Sequence, residues 1–173
     1  QRTLISYPLA NKESVVFTFL FWNLNKQPRA QLVANLARVN KVDVILLADA
    51  SLTLAHEGAL NRRGEARYHY APGLSCEKIE VFARFPKEFI PALFDGRRLT
   101  IRHLTLPGST DILLAIVHLP SKSHWSSESQ AQECSRLSTT VRQVEKEVGH
   151  SRTVLVGDLN MSPFESGVVS AIG

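Results

Sequence analysis

The stretch from Val15 to Asp49, VVFTFLFWNLNKQPRAQLVANLARVNKVDVILLAD, decides the fold. Residues 15–22 are β-branched and aromatic, interrupted only by Thr18, which is the composition of a strand buried on both faces. Pro28 lacks an amide hydrogen that a first helical turn leaves unpaired anyway, so it opens a helix. Leu32, Val33, Leu36, Ala37 and Val39 form the apolar stripe of that helix. Asp43-Val-Ile-Leu-Leu-Ala48 is a second buried strand. Strand, helix and strand in this order make two parallel neighbours in one sheet.

Outward from this unit the pattern changes. Residues 1–14 read as an N-terminal extension and 15–173 as one domain. Ala66–Tyr70, Lys78–Arg84, Arg98–Thr105 and Asp111–His118 are strand-like, with turn signals at Pro72-Gly73, Asp95-Gly96 and Pro107-Gly108. Successive strands joined by turns predict antiparallel pairing. Ser126–Val148 is the best helix, with Ala131, Cys134, Leu137, Val141, Val144 and Val148 on one face and Gly149 as its stop. Thr153–Gly157 is a further short buried strand, and Pro163 starts a final helix. An α/β sandwich of two sheets fits this order better than a doubly wound nucleotide fold.

Composition narrows the function classes. The 173 residues are 44% hydrophobic and 21% charged, which are globular values. No apolar run approaches the roughly 20 residues of a membrane span. The N-terminus lacks the layout of a signal peptide, so a cytoplasmic address is expected. A net charge of +4 permits a phosphate-bearing partner without demanding one. Cys76 and Cys134 have no metal-ligand spacing, which argues against a disulfide framework or a structural zinc among cysteines. The usual nucleotide-binding fingerprints are missing, and Gly73-Leu-Ser-Cys-Glu77 lacks the second glycine of a nucleophile elbow.

The chemistry gathers at strand ends. Asn23 and Asn25 follow Phe21-Trp22, Asp49 follows Ile45-Leu-Leu-Ala48, His118 follows Leu113-Leu-Ala-Ile-Val117, and Asp158 and Asn160 follow Val154-Leu-Val-Gly157. A spacing of two puts each pair on one face if the backbone stays extended. Carboxylates and carboxamides without a thiolate form a hard, oxygen-rich set suited to Mg²⁺ or Mn²⁺. Taken singly, a strand-end Asn or Asp is more often a turn residue than a ligand. Four such ends together point to a site. The Pro120–Ser127 loop carries Lys122, His124 and Trp125, and reads either as an ordinary exposed loop or as a cation and a stacking ring for nucleic acid.

Phe21-Trp-Asn-Leu-Asn25, Val44-Ile-Leu-Leu-Ala-Asp49, Ile116-Val-His-Leu119 and Val156-Gly-Asp-Leu-Asn160 stand in the order used by the endonuclease/exonuclease/phosphatase superfamily, which this chain resembles from about Val15 onward. The resemblance implies a deoxyribonuclease-I-like α/β sandwich and a divalent-metal-dependent phosphodiester hydrolase. It implies Mg²⁺ or Mn²⁺ at Asp49 and Asn25, and substrate phosphate at Asn23. It also gives Asp158 and Asn160 the attacking water, and His118 the phosphate or leaving group. Lys122 is added as a phosphate contact from the loop reading.

Two departures accompany the resemblance. The family has Glu where this chain has Asp49, one methylene shorter. The family also ends in strands carrying an Asp-His pair, and no histidine here follows an aspartate. The expectation is that the C-terminal third is absent from this sequence, supplied by further sequence or a partner chain. Residues 1–173 alone are then expected to be inactive and poorly soluble. Three readings stay open: a nuclease on DNA or RNA; a phosphatase or lipid phosphodiesterase; or a catalytically weak module binding nucleic acid or protein.

Overall fold

The computed structural model describes residues 2–7, 16–50, 53–62, 67–121, 125–162, 164–165 and 168–169. Its first sheet contains β1 (Arg2–Tyr7), β2 (Phe17–Asn23), β3 (Val44–Ala48), β4 (His69–Tyr70) and β5 (Ile79–Ala83), in the order β1-β2-β3-β5-β4. The second contains β6 (Ala92–Asp95), β7 (Leu99–Leu104), β8 (Ile112–His118) and β9 (Thr153–Asp158), in the order β6-β7-β8-β9. Helices α1 (Ala30–Val39) and α2 (Thr53–Asn61) follow β2 and β3, and α3 (Ser127–Val148) links β8 to β9.

Period-2 alternation explains how the layers stack. Phe17, Phe19 and Phe21 of β2, Val44 and Leu46 of β3, and Val81 of β5 face Ile112, Leu114 and Ile116 of β8 and Val156 of β9 in one buried cluster between the sheets. The opposite face of the first sheet, with Leu20, Trp22, Ile45 and Phe82, is covered by Val33 and Ala37 of α1 and Leu60 of α2. The opposite face of the second, with Leu113, Ala115 and Val117, is covered by Cys134, Leu137 and Val144 of α3. The result is helix, sheet, sheet, helix.

The strand–helix–strand unit is as expected, with β2 and β3 parallel and Asn23 beside Ala48. Within α1, Leu32 and Val39 are exposed, and the burial falls to Val33 and Ala37. The middle strands do pair antiparallel, but β5 joins β3 in the first sheet while β7 joins β8 in the second. Ser126 caps α3 by accepting the Ser129 amide, and Gly149 ends it in the left-handed region, φ 83°.

Within the stretch read as an N-terminal extension, Arg2–Tyr7 forms β1. Arg2–Tyr7 runs antiparallel to β2 along its whole length, giving that strand its second hydrogen-bonded edge. A buried β2 needs neighbours on both sides, and β3 supplies only one. The helix expected to start at Pro163 falls largely outside the described residues; among those described, Val168 and Val169 are helical. Strand β9 pairs parallel with β8. Among the described residues it is the edge of its sheet, with Leu155 half exposed. No helix among the described residues is long and apolar enough to cross a membrane.

Candidate active site

Three apolar rows that line the space between the sheets each run into a polar residue at the next inward position. Asn23 continues Phe17, Phe19 and Phe21; His118 continues Ile112, Leu114 and Ile116; Asp158 continues Val154 and Val156. The register pairs His118 with Asp158 and Val117 with Gly157. The sandwich core is therefore closed at one end by a polar cap.

The remaining residues arrive through left-handed turns. Ala48 takes the inward position at the end of β3, so Asp49 on an extended chain would face the helices. Its φ of 44° turns it back toward the cap. Asn25 (φ 47°), Lys26 (φ 58°) and Asn160 (φ 52°) share this conformation, so four of the five described non-glycine residues at positive φ line the same cleft. Strain of this kind collects at functional sites.

The two-residue spacing works differently from the extended-strand expectation. The Asn25 amide donates to Asn23 Oδ1 at 3.0 Å, and the Asn160 amide donates to Asp158 Oδ1 at 2.9 Å. Each pair is an Asx turn, with the backbone folding over the preceding side chain. Turn residue and site residue are thus the same residue.

These bonds fix the polarity of the centre. Asn23 accepts through Oδ1, so its Nδ2 is the donor to Asp158 Oδ2, at 2.8 Å. The same Nδ2 lies 3.5 Å from His118 Nε2, which in turn lies 3.7 Å from Asp49 Oδ2. Asn23 and His118 thereby stand in sequence between Asp158 and Asp49, with the last step, from His118 to Asp49, too long for a hydrogen bond. Asn160 Nδ2 donates to the Leu119 carbonyl at 2.7 Å, tying the turn after β9 to the end of β8. His118 is buried, and its Nδ1 has no protein partner among the described residues.

These residues line a cleft of 740 Å³ whose other walls include four basic side chains, Trp125 and the segment Leu119–Ser121. Lys26, Lys78, Arg97 and Arg98 all reach it, and the Arg98 guanidinium lies 5.1 Å over the Trp125 ring. Lys78 Nζ is 3.0 Å from Asp49 Oδ1, a contact that sequence reading did not anticipate. Its only signal was a basic residue at the start of the strand-like stretch Lys78–Arg84. Arg97 and Arg98 follow directly on the Asp95-Gly96 turn signal, and the structure brings both to the cleft. Lys122 lies outside the described residues. Cys76 is buried, and burial pushes its thiol up to about 11, so it offers no thiolate nucleophile.

The donor set suits a hard divalent cation. Lys78 occupies Asp49 Oδ1, while Oδ2 stands beyond hydrogen-bond reach of His118 and keeps its lone pairs for an ion. The Asn25 carboxamide borders the same space. Among the described residues, the one group of three or more His, Cys, Asp or Glu side chains arranged to hold a metal lies elsewhere, at His103, Asp111 and His150.

Two facing mixed sheets with a polar cap at the strand ends define a deoxyribonuclease-I-like α/β sandwich. The model of the Endonuclease/Exonuclease/phosphatase family matches residues 20–171, and the chain belongs to that family. No curated protein sequence matches it. The fold is similar to the endonuclease domain of TRAS1, a telomere-specific non-LTR retrotransposon, with a TM-score of 0.62 at 13% identity over 91% of this chain and 70% of that one. It is similar to the human Nocturnin catalytic domain with bound sulfate, with a TM-score of 0.65 at 12% identity over 97% and 71%. Similarity to Danio rerio TDP2 complexed with a single-strand DNA product gives 0.57 at 19% identity over 91% and 65%. The chain spans 48% of the Caenorhabditis elegans TDP2 chain, at a TM-score of 0.62 and 14% identity over 85% of its own length.

Proposed function

We propose that this chain carries the centre of a divalent-metal-assisted phosphodiester hydrolase acting on nucleic acid, a nuclease in the broad sense. The observation that carries the reading is the polar cap itself: Asn23, His118 and Asp158 from both sheets, with Asp49, Asn25 and Asn160 turned toward them, in a cleft lined by four basic side chains. Family membership supports hydrolysis of phosphate esters. The DNA product named with Danio rerio TDP2 and the sulfate named with Nocturnin support an anionic, nucleic-acid-like ligand.

Asp49 and Asn25 are the residues that would hold Mg²⁺ or Mn²⁺, and the ion would supply a positive charge to offset the charge gathering on the phosphoryl oxygens. The protein's own groups do the rest. Asp158 accepts two hydrogen bonds, from Asn23 Nδ2 and the Asn160 backbone amide, which fix its carboxylate to orient a water. His118 and the Asn160 and Asn23 amides stand where phosphate oxygens can be bound, and Lys78, Arg97 and Arg98 favour a polyanion by charge. Trp125 beside Arg98 offers a face for a base.

The test is hydrolysis of single-stranded DNA, plasmid DNA, RNA and p-nitrophenyl phosphate with Mg²⁺ or Mn²⁺, by the natural polypeptide containing these residues and by its Asp158→Asn variant. The reading expects cleavage of a nucleic acid, and loss of about 10²-fold or more in the variant with its circular dichroism unchanged. Turnover of the small phosphomonoester alone would replace it with a phosphatase. Nucleic-acid binding without any turnover would make the chain a binding module.

A further inference from the structure

Three side chains with metal-binding chemistry meet at the other end of the second sheet. His103 is near the end of β7, Asp111 immediately precedes β8, and His150 lies in the link from α3 to β9. Both imidazole Nε2 atoms approach one oxygen, Asp111 Oδ2, at 2.9 and 3.0 Å. The three donor atoms all lie within 4.8 Å of one another. Arg152 holds the other carboxylate oxygen at 2.5 Å, and its Nε donates to the Asp111 carbonyl at 2.9 Å.

We propose that His103, Asp111 and His150 form a Zn²⁺ site distinct from the phosphodiesterase cleft. Two imidazole nitrogens and one carboxylate oxygen are borderline donors of the kind zinc takes, with the fourth position left to water. Bonds of about 2.0–2.2 Å place neighbouring ligands of a tetrahedral ion roughly 3.3 Å apart, so an outward shift of a few tenths of an ångström admits the ion. Arg152 would serve as the outer partner that orients the carboxylate. The His150 side chain is 9% exposed and that of Asp111 36%, so the site is anchored from within and open from outside. Strand β8 has seven residues, which puts the cluster about 20 Å from His118.

The competing account is a carboxylate that accepts two N–H bonds and binds nothing. In the metal-free chain the Arg152 amide donates to His150 Nδ1 at 3.2 Å, so the proton of the neutral ring sits on Nε2. Loading moves that proton through solvent to Nδ1, and the 3.2 Å bond is given up for the bond to zinc. The ion then ties β7, β8 and the link into β9 together.

The experiment titrates Zn²⁺, and separately Co²⁺ as a visible reporter, into metal-stripped Asp49→Asn protein, so that the cleft does not contribute, and into the same protein carrying His103→Gln or His150→Gln. Circular dichroism confirms that each is folded. The expected result is one Zn²⁺ per chain with a dissociation constant in the micromolar range or tighter, and visible Co²⁺ bands of a four-coordinate site. Each added histidine substitution should weaken that binding about tenfold or more. His150→Gln retains a donor to Asp111, so it decides the matter should His103→Gln fail to fold. No Zn²⁺ binding, or equal binding by either folded histidine variant, would overturn the site and leave the hydrogen-bond clamp.

Discussion

A β-carbon on Gly157 would lie 1.9 Å from the Val117 carbonyl oxygen and 2.7 Å from its Cγ1. That approach lets β9 lie against β8 with Asp158 directly beside His118, so the glycine before the site aspartate is a packing requirement. Gly157→Ala should cost about 2–4 kcal/mol in chemical denaturation, because backbone and not a flexible side chain must give way. A variant as stable as the wild type would show that the strands are not this close. Cys76 yields a second residue-scale outcome. Burial holds its thiol at about 11 against an ordinary 9.0, so the folded state keeps the proton longer than the unfolded chain does. Its contribution to stability is therefore whole below pH 9 and declines from there to about pH 11, where it levels off. At pH 8 Cys76 should resist iodoacetamide in the native protein and react in guanidinium, as peptide mass mapping would show. Rapid native labelling of Cys76 would contradict its burial.

At the scale of elements, what the sequence could and could not reveal follows from periodicity. Strands buried on both faces announce themselves by continuous apolar runs, which is why β2, β3 and β8 were legible along with the polar residues ending them. Strand β9 was legible as a strand by the same run, but it is not the buried strand expected, since only Val156 is buried and Leu155 is half exposed. Helix α3 was legible because its stripe and both caps agree. Ser126→Ala should remove about 1 kcal/mol, read as a lowered thermal midpoint, since the hydroxyl loses the cap bond it accepts from the Ser129 amide and the weaker one it donates to Ser129 Oγ; an unchanged midpoint would mean the helix start is held otherwise. Strand β6 was missed because Ala92–Asp95 is a short, largely exposed strand with an irregular register against β7. Helix α2 was missed because it buries only His56 and Leu60 and carries Gly58. The left-handed turns at Asn25, Asp49 and Asn160 were also hidden. Alternation assumes an extended chain, and positive φ at Asn or Asp leaves no mark beyond the residue type.

Across the whole molecule the net charge of +4 is modest, yet Lys26, Lys78, Arg97 and Arg98 share one cleft. The local field, more than the total, would then govern binding of a polyanion. Replacing Arg97 and Arg98 together by Ala should weaken DNA binding at low salt and flatten the slope of log K against log salt by about one to two. An unchanged slope would place the phosphate path elsewhere. The central claim is that the ends of strands from both sheets build one centre able to hold a divalent cation beside a phosphate. Electron paramagnetic resonance of Mn²⁺ tests it most directly, with His103→Gln as background so that the distant cluster does not contribute. The prediction is one bound Mn²⁺ that Asp49→Asn abolishes and that Lys78→Met tightens about tenfold, by removing a cation 3.0 Å from the Asp49 carboxylate. Equal Mn²⁺ binding with and without the Asp49 carboxylate would contradict the account.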